Sequence, residues 1–479
     1  MATLSAQEWG WQYAARSTPT LSNISCEIAQ GERVLLLGAS GVGKSTLLRA
    51  FAGVLGEDEG TEQGSVLLNG LPPLNSRGRI GLVLQDPENQ VILERVGDDV
   101  AFGCENLGIP REEIWQRVEA ACDLVGLNVP LNHSTSALSG GQKQRLALAG
   151  VLAMQPEIIA LDEPTANLDP AGALALKNAL TKVVDATGAT IVMVEHRVEL
   201  WWDFATRIIV LGRNGVMWDG PPAQLPQEKA SEFEKTGIWL PHVTKPVPRR
   251  GTTGETLLIT QQLEVGYPGS TAPLPVADLD VHAGEVLAIM GPNGAGKTAL
   301  ALTLGGLIPA PSGKVVATAQ LRGTARSDEP IQWRSRELLS RIGSVFQAPE
   351  HQFIAATVRE ELSAGPRALK LPETQILTLV DSLMQRLHLS DLADAHPFTL
   401  SGGQQRRLSV GTALAAQPAV LILDEPTFGQ DAATWSQMVK LLSELRDEGH
   451  AIVTITHDEA LVSALADRVV RVGGEHVLD

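Results

Sequence analysis

Two short stretches of the chain carry residue types in a spacing that suits the binding of phosphate. Each places a lysine and a hydroxyl residue after spaced glycines, in the pattern Gly-x-x-x-x-Gly-Lys-Ser/Thr. Glycines let backbone N–H groups converge on phosphate oxygens, and the helix that follows adds the positive end of its dipole. We predict that the lysines pair with the β- and γ-phosphates of a nucleotide and that the hydroxyls reach Mg²⁺. The predicted binding residues are Gly38, Ser40, Gly41, Gly43, Lys44, Ser45 and Thr46 in the first loop and Gly291, Asn293, Gly294, Gly296, Lys297 and Thr298 in the second.

An acidic pair follows a β-rich apolar run in each half of the chain, and a histidine follows the next such run. Ionised carboxylates at the end of a buried strand are costly unless a metal ion or protons compensate them. We predict that the first acid of each pair holds Mg²⁺, mainly through water, and that the second polarises an attacking water as general base. We predict a γ-phosphate contact for each histidine. The acids are Asp162 and Glu163 and Asp424 and Glu425, and the histidines are His196 and His457.

Three further motifs recur in the same order. A neutral amide at Gln85 or Gln347 can bind both Mg²⁺ and the lytic water. The sequence Ser-Gly-Gly-Gln precedes a helical stretch in each half; it is a capping box, and its exposed N–H groups also suit a γ-phosphate. The chain's two tyrosines lie upstream of the phosphate loops, where we favour stacking on adenine over plain packing. The residues concerned are Ser139, Gly140, Gly141 and Gln142, Ser401, Gly402, Gly403 and Gln404, and Tyr13 and Tyr267.

The elements that must position these residues are short, continuously apolar runs that alternate with helical patterns. Arg33-Val-Leu-Leu-Leu precedes the first phosphate loop, and Thr190-Ile-Val-Met-Val precedes the first histidine. Continuous rather than alternating apolar runs predict strands buried on both faces of a parallel sheet. Ligands of such sheets bind in the loops at the carboxyl ends of the strands.

The motifs repeat at a nearly constant offset of about 260 residues, which indicates a duplicated domain rather than a solenoid. A stretch rich in proline, glycine and threonine separates the copies and reads as a linker. We predict a first domain at residues 1–240, a linker at 241–255 and a second domain at 256–479.

Composition limits the classes of function. The chain has 479 residues, 44% of them apolar, and a formal net charge of −17, which counts against nucleic acid as the main partner. Its three cysteines lack the spacing of a metal site or a disulfide framework. No run approaches 18 apolar residues, so we expect other chains to supply any path through a membrane.

Together these motifs resemble the ATP-binding-cassette (ABC) family over almost the whole chain. The resemblance implies an α/β fold of two tandem P-loop NTPase domains. Each would have a mainly parallel core sheet, an antiparallel β subdomain and a helical signature subdomain. It also implies ATP hydrolysis with Mg²⁺, and two ATP molecules held between halves that face head to tail. The phosphate loop of Lys44 would then meet the signature of Ser401, and the loop of Lys297 the signature of Ser139.

A narrower resemblance follows the glutamines. Gln85-Asp-Pro-Glu-Asn-Gln and Gln347-Ala-Pro-Glu-His-Gln are similar to a segment of energy-coupling-factor (ECF) importers. In that family the ATPase drives an integral membrane coupling subunit and a separate substrate-binding membrane subunit, which import a vitamin, a vitamin precursor or a transition-metal ion. The resemblance implies a peripheral protein on the cytoplasmic face of the cell membrane.

Two alternatives remain open. A tandem sugar-import ATPase has the same domain order, although such chains often have one degenerate site and both sites here look complete. A ribosome-associated ABC translation factor is also a tandem cassette, but we would expect a long, basic, helical arm between its domains. The short linker and the acidic chain favour the transporter.

Overall fold

The computed structural model describes residues 3–14, 16–166, 168–196, 198–241, 253–269 and 272–473. These residues divide into two compact units, one before and one after residues 242–252, except that residues 431–433 are grouped with the first unit. Most of the predicted linker at 241–255 lies outside the described residues, so the domain boundaries stay a prediction.

The first half alternates strands with helices. Its strands are β1 (Leu4–Tyr13), β2 (Leu21–Ile28), β3 (Arg33–Leu37), β4 (Gly60–Leu68), β5 (Ile80–Val83), β6 (Ile158–Asp162), β7 (Thr190–Val194), β8 (Arg207–Gly212) and β9 (Gly215–Gly220). Its α-helices are α1 (Lys44–Phe51), α2 (Val96–Asn106), α3 (Arg111–Val125), α4 (Gly140–Ala153), α5 (Pro170–Thr187), α6 (Val198–Trp201) and α7 (Gln227–Lys235).

A six-stranded sheet forms the centre of the first half, with its strands in the order β5-β6-β7-β3-β8-β9. The pairs from β5 to β8 are parallel, and β9 runs antiparallel beside β8. Strands β6 and β7 are buried along their whole length, as expected for apolar strands that are covered on both faces. Since parallel strands end at one edge of a sheet, the loops after β3, β5, β6 and β7 share that edge.

Two further layers complete the first half. The antiparallel sheet β2-β1-β4 packs on the parallel sheet and α1 through a cluster that includes Trp9, Phe51 and Val192. Helices α2, α3 and α4 pack on one another, and Val118 and Leu148 are among their buried side chains. These are the β subdomain and the helical subdomain of the predicted fold.

The second half repeats this plan. Its strands are β10 (Thr256–Val265), β11 (Leu274–Pro275), β12 (Asp280–His282), β13 (Val286–Met290), β14 (Ser312–Ala317), β15 (Ile342–Val345), β16 (Val420–Asp424), β17 (Ala451–Ile455) and β18 (Arg468–Arg471). Its α-helices are α8 (Lys297–Leu304), α9 (Ala319–Arg322), α10 (Ser335–Leu339), α11 (Val358–Ala368), α12 (Glu373–Arg386), α13 (Gly402–Leu414), α14 (Ala432–Asp447) and α15 (Glu459–Leu465).

The central sheet of the second half is parallel in the order β15-β16-β17-β13-β18. Its antiparallel sheet pairs β10 with β11, β12 and β14. Helix α11 packs on both α12 and α13. The predicted α/β fold is confirmed in both halves, each with a mainly parallel core sheet, an antiparallel β subdomain and a helical subdomain. Within the described residues, no helix combines the length and the apolar character needed to cross a membrane.

Candidate functional site

Each predicted phosphate loop connects a central strand to a helix that starts at the lysine. In the first half, Gly41 and Gly43 have φ values of 71° and 108°, in the left-handed region that favours glycine. A Cβ atom at Gly43 would lie 2.7 Å from the Cγ atom of Leu21, so a side chain there would also clash. In the second half, Gly294 and Gly296 have φ values of 82° and 81°. The loop geometry therefore depends on two glycines in each loop: the one before the lysine, which belongs to the sequence pattern, and one further glycine between the two pattern glycines.

The lysine of each loop is buried and lies across its own loop. Lys44 Nζ donates hydrogen bonds to Gly38 O at 2.8 Å and to Ala39 O at 3.1 Å. Lys297 Nζ donates to the equivalent carbonyls, at 2.9 Å in both bonds. Burial lowers the pKa of Lys44, and the charge of Glu163 partly offsets this. An ammonium group held over the loop in this way fits an anionic ligand such as a polyphosphate.

The hydroxyl after each lysine meets the first acid of the acidic pair. Ser45 Oγ donates to Asp162 Oδ1 at 3.0 Å, and Thr298 Oγ1 donates to Asp424 Oδ2 at 2.9 Å. Burial raises the pKa of Asp162 to about 6 and also raises that of Asp424. A buried carboxylate beside a hydroxyl is a donor set that suits Mg²⁺, because a divalent cation would compensate the cost of ionising the acid.

The second acid of each pair has an unusual backbone conformation. Glu163 has a φ of 47° and Glu425 a φ of 49°, which places both in the left-handed region. A residue other than glycine is strained there by roughly 1–3 kcal/mol, and such strain is concentrated at functional sites. The backbone N–H of each glutamate donates to the end of the neighbouring strand, at Val194 O and Ile455 O, both at 2.9 Å. These bonds hold the two carboxyl groups at the ligand edge of the sheet.

The glutamate of the first half contacts two other predicted site residues. His196 Nε2 lies 3.0 Å from Glu163 Oε1, and Gln85 Nε2 donates to Glu163 Oε2 at 2.8 Å. Burial by itself would raise the pKa of Glu163, but attraction to His196 and hydrogen bonding hold it below its ordinary value. The structure therefore brings the predicted base, histidine and glutamine of the first half together in one cluster.

The glutamate of the second half has different partners. Glu425 Oε1 accepts a bond from the backbone N–H of His457 at 3.1 Å, and Glu425 Oε2 accepts one from the Thr456 hydroxyl at 3.1 Å. The side chain of His457 instead bonds Asn293 Oδ1 through Nε2 at 3.2 Å. Burial, with the nearby charge of Asp424, raises the pKa of Glu425 to about 7.

This difference in pKa leads to a prediction for the protein without nucleotide or divalent cations. We expect Glu425→Gln to raise the melting temperature by roughly 2 to 6 °C at about pH 8 and very little at about pH 5. A carboxyl whose pKa is raised in the folded state contributes stability below its unfolded value of 4.5, and that stability is lost as the pH rises through about 7. Glutamine remains neutral and avoids the loss. Calorimetry at both pH values measures the effect.

Glu163→Gln is the matched control, because the pKa of Glu163 is held low rather than raised. We expect this variant to gain no stability at high pH. An equal gain in both variants would contradict the assigned difference between the two carboxyl groups.

The Ser-Gly-Gly-Gln motifs form the predicted capping boxes at the starts of α4 and α13. Gln142 Oε1 accepts from Ser139 N at 2.9 Å, and Gln404 Oε1 accepts from Ser401 N at 2.9 Å. The capping interpretation is confirmed, and it leaves the first backbone N–H groups of both helices available, as the predicted phosphate contact needs. That contact stays a prediction.

The two tyrosines differ in their surroundings. Tyr13 is half-buried, its hydroxyl lies 3.2 Å from Thr46 Oγ1, and its ring packs edge-on against Trp11. Tyr267 is 56% exposed. Both precede a phosphate loop as expected, and adenine stacking stays a prediction for each.

Two buried side chains near these sites lack a role in the motif analysis. Glu195, directly before His196, is 4% exposed, and Arg406 in α13 is also 4% exposed. Arg406 donates to Phe346 O at 2.8 Å and to Gln347 O at 2.6 Å. A comparison of the two halves position by position could have found both residues, because the first half has Gln144 at the place of Arg406 and the second half has Thr456 at the place of Glu195.

Comparison with known proteins is consistent with this arrangement. A family model described as ABC transporter matches residues 21–166 and 274–428. The chain is 36% identical to a Bacillus subtilis protein provisionally named HMP/thiamine import ATP-binding protein YkoD, over 97% of this chain and 89% of that one. It is 34% identical to a provisionally named ABC transporter ATP-binding protein of Methanosarcina acetivorans, over 96% of this chain and 82% of that one. A model of ribosome-bound archaeal Pelota and ABCE1 has the same fold, with a TM-score of 0.68 at 21% identity over 98% of this chain and 76% of that one.

Proposed function

Because the chain belongs to the ABC transporter family, we propose that it is the ATP-hydrolysing, energy-coupling subunit of an ECF-type importer. The single observation that carries this proposal is a clamped turn, here called the Pro-Glu turn, at residues 87–90 and again at 349–352. Each Pro-Glu turn is a short 3₁₀ helix that begins two residues after the predicted catalytic glutamine.

A glutamine side chain ties the end of each Pro-Glu turn to the strand before it. In the first half, Gln90 Oε1 accepts from Leu84 N at 2.8 Å, and Gln90 Nε2 donates to Leu82 O at 3.0 Å. In the second half, Gln352 makes the same two bonds with Phe346 N and Ser344 O, at 3.1 Å and 2.9 Å. The last glutamine of the motif therefore has a structural role. Its side-chain amide both accepts and donates a hydrogen bond, and these two bonds fix the loop that carries Gln85 or Gln347.

An acid from the next helix holds the segment that follows each Pro-Glu turn. Asp99 Oδ1 accepts from Ile92 N and Leu93 N, both at 2.8 Å. Glu361 Oε2 accepts from Ile354 N and Ala355 N, also at 2.8 Å in both bonds. In each half, these four side-chain hydrogen bonds join the loop of the catalytic glutamine, the Pro-Glu turn and the helical subdomain into one rigid unit. A movement of the glutamine loop would therefore also move the Pro-Glu turn and the helical subdomain.

The outer side of this piece offers a surface for a membrane partner. Glu88 in the first Pro-Glu turn has a 67% exposed side chain that pairs with Lys143 at 2.7 Å, and Glu350 occupies the same place in the second turn. The residues just after the turns, Ile92 and Ile354, are 60% and 82% exposed. We infer that these exposed acids and apolar side chains grip the integral membrane coupling subunit, which in turn contacts the substrate-binding subunit. The chain would thus lie peripherally on the cytoplasmic face of the membrane.

Charge reversal tests this docking surface. We expect Glu88→Lys combined with Glu350→Lys to reduce substrate uptake by at least about 10-fold, because buried or rim charges of the wrong sign oppose association. ATP hydrolysis by the purified chain should fall far less. Uptake into proteoliposomes and recovery of the membrane subunit with the tagged chain measure the two effects. Glu57→Lys, on an exposed loop between α1 and β4, is the matched control, and assembly and uptake that survive in the double variant would refute the assignment.

The same proposal gives the site residues their roles in ATP hydrolysis. Lys44 and Lys297 neutralise phosphate charge, and the second acid of each pair accepts a proton from the attacking water. The histidines contact the γ-phosphate. Mg²⁺ would be held by Ser45, Asp162 and Gln85 and by Thr298, Asp424 and Gln347, and would supply charge neutralisation at the phosphates.

The substrate class is proposed from the relatives. The name of the Bacillus subtilis relative states import of HMP/thiamine, which favours a vitamin or vitamin precursor over a transition-metal ion. A tandem sugar-import ATPase remains the second transport candidate. The residues that choose the substrate would lie on the membrane subunits, so purification of the native complex and identification of its small membrane subunit test the class directly.

That purification also tests the function itself. We expect the tagged chain to be recovered with integral membrane proteins. Recovery with ribosomes and without membrane subunits would overturn the proposal in favour of a translation factor. The likeness to the ribosome-bound protein concerns the fold alone, at 21% identity.

A further inference from the structure

The residue directly before the predicted site histidine differs between the two halves. It is Glu195 in the first half and Thr456 in the second, and both follow the carboxyl end of a buried strand. Glu195 is 4% exposed and Thr456 is fully buried. A buried acid is costly, so its presence in one half only calls for a specific role.

In the first half, the Glu195 carboxylate accepts hydrogen bonds from the backbone of His196 and from Thr165. Its Oε2 accepts from the backbone N–H of His196 at 3.0 Å. Its Oε1 accepts from Thr165 N at 2.9 Å and from the Thr165 hydroxyl. With the N–H of His196 already bonded, Glu163 instead contacts the side chains of His196 and Gln85.

In the second half, the predicted catalytic glutamate accepts the histidine N–H that Glu195 accepts in the first, while Asp458 accepts the hydroxyl of Thr427, the counterpart of Thr165. The backbone N–H of His457 donates to Glu425, and so does the hydroxyl of Thr456. The His457 imidazole lies 3.9 Å from Glu425, compared with 3.0 Å between His196 and Glu163. Among the described residues, the histidine N–H is thus bonded to Glu195 in the first half and to Glu425 in the second.

We propose that Glu195 is a positioning residue that keeps Glu163 facing the attacking water, so that the first half hydrolyses ATP faster than the second. Glu195 does so by filling the position at the His196 N–H that the carboxylate of Glu163 would otherwise take. Thr456 has no carboxylate, so Glu425 can accept the hydrogen bond from the His457 backbone N–H. This bond must break before Glu425 can accept a proton from the attacking water. This inference rests on the proposed ATPase function and adds that the two sites hydrolyse ATP at different rates.

The test compares full-length chains in which one site is silenced. In a Glu425→Gln background, Glu195→Thr should lower kcat by about 10-fold, the order expected when one hydrogen bond to a charged group shifts an equilibrium between two positions. The KM for ATP should change little, because the phosphate loop is untouched. In a Glu163→Gln background, the reciprocal Thr456→Glu should raise kcat, which a purely structural role would not produce.

A crystal structure of nucleotide-free Glu195→Thr supplies a read-out independent of activity. We expect a Glu163 carboxylate oxygen within hydrogen-bond distance of His196 N, as Glu425 is of His457 N. Glu163 still bonded to the His196 imidazole and to Gln85, or a kcat unchanged by Glu195→Thr, would overturn the proposal. Failure of the importer assignment would appear separately, as the absence of membrane subunits with ATP hydrolysis intact.

Discussion

Replacement of both Glu163 and Glu425 by glutamine is expected to lower steady-state ATP hydrolysis by at least about 100-fold. General bases contribute about 10²–10⁴-fold to the rate of proton transfer, and glutamine keeps the shape of the side chain but cannot accept the proton. Both glutamates follow a buried strand, share the left-handed backbone conformation and lie beside a histidine. Release of inorganic phosphate from ATP measures the effect.

The single variants distinguish the two sites. Each is expected to keep part of the activity, and Glu163→Gln should keep less than Glu425→Gln, because Glu195 holds Glu163 ready for the attacking water. Glu57→Gln, on an exposed loop, controls for the loss of a carboxylate elsewhere. Equilibrium binding of ATP should survive in all variants. Wild-type turnover in either single variant would refute the view that both sites hydrolyse ATP.

Replacement of a signature glycine by aspartate is expected to reduce hydrolysis at one site by about 100-fold, the order found when a preorganised N–H donor set at a transition state is lost. A Cβ atom built at Gly140 or Gly402 meets no heavy atom of the described residues within 4 Å, and neither residue has a positive φ. The fold therefore accommodates a side chain at these positions, so we expect a loss of activity to reflect the predicted phosphate contact rather than misfolding. An aspartate would both obstruct and repel a γ-phosphate.

Double variants then test the predicted head-to-tail pairing. If the phosphate loop of Lys44 uses the signature of the second half, Glu163→Gln with Gly402→Asp disables one site and hydrolyses ATP like Glu163→Gln alone. Glu163→Gln with Gly140→Asp disables both sites. If instead the Gly140→Asp double variant hydrolyses ATP like Glu163→Gln alone and the Gly402→Asp double variant is inactive, each half uses its own signature. Gly365→Ala in α11 is the matched control, since its Cβ would lie at an ordinary 3.8 Å from Ala416.

Local sequence patterns predicted much of the site. Continuous apolar runs predicted β3, β6 and β7 as buried parallel strands, because such strands are covered on both faces. The spacing of Gly38 to Ser45 predicted a glycine-dependent loop before a helix, and Ser139 to Gln142 predicted a capping box. These features involve residues close in sequence, whose geometry depends mainly on backbone sterics and local hydrogen bonds.

The contacts between the predicted base and its partners could not be predicted from local patterns, because they form only when the strands of the sheet pair. Gln85 and Glu163 are far apart in sequence but bond at 2.8 Å, because β5 and β6 are parallel neighbours that end at the same edge. The order of strands therefore decides which polar loops meet, and the sequence predicted this only through its resemblance to a known family.

By itself, the sequence determined the duplication and the class of fold, and it predicted the chemistry of each motif. Only the tertiary structure decided how each predicted catalytic carboxylate is held, since Glu163 and Glu425 occupy equivalent positions in nearly identical motifs yet bond different partners. The physical reason is competition for one backbone N–H group. Glu195 accepts the N–H of the adjacent His196, whereas the N–H of His457 is accepted by Glu425, which reaches it only because β16 and β17 are paired neighbours.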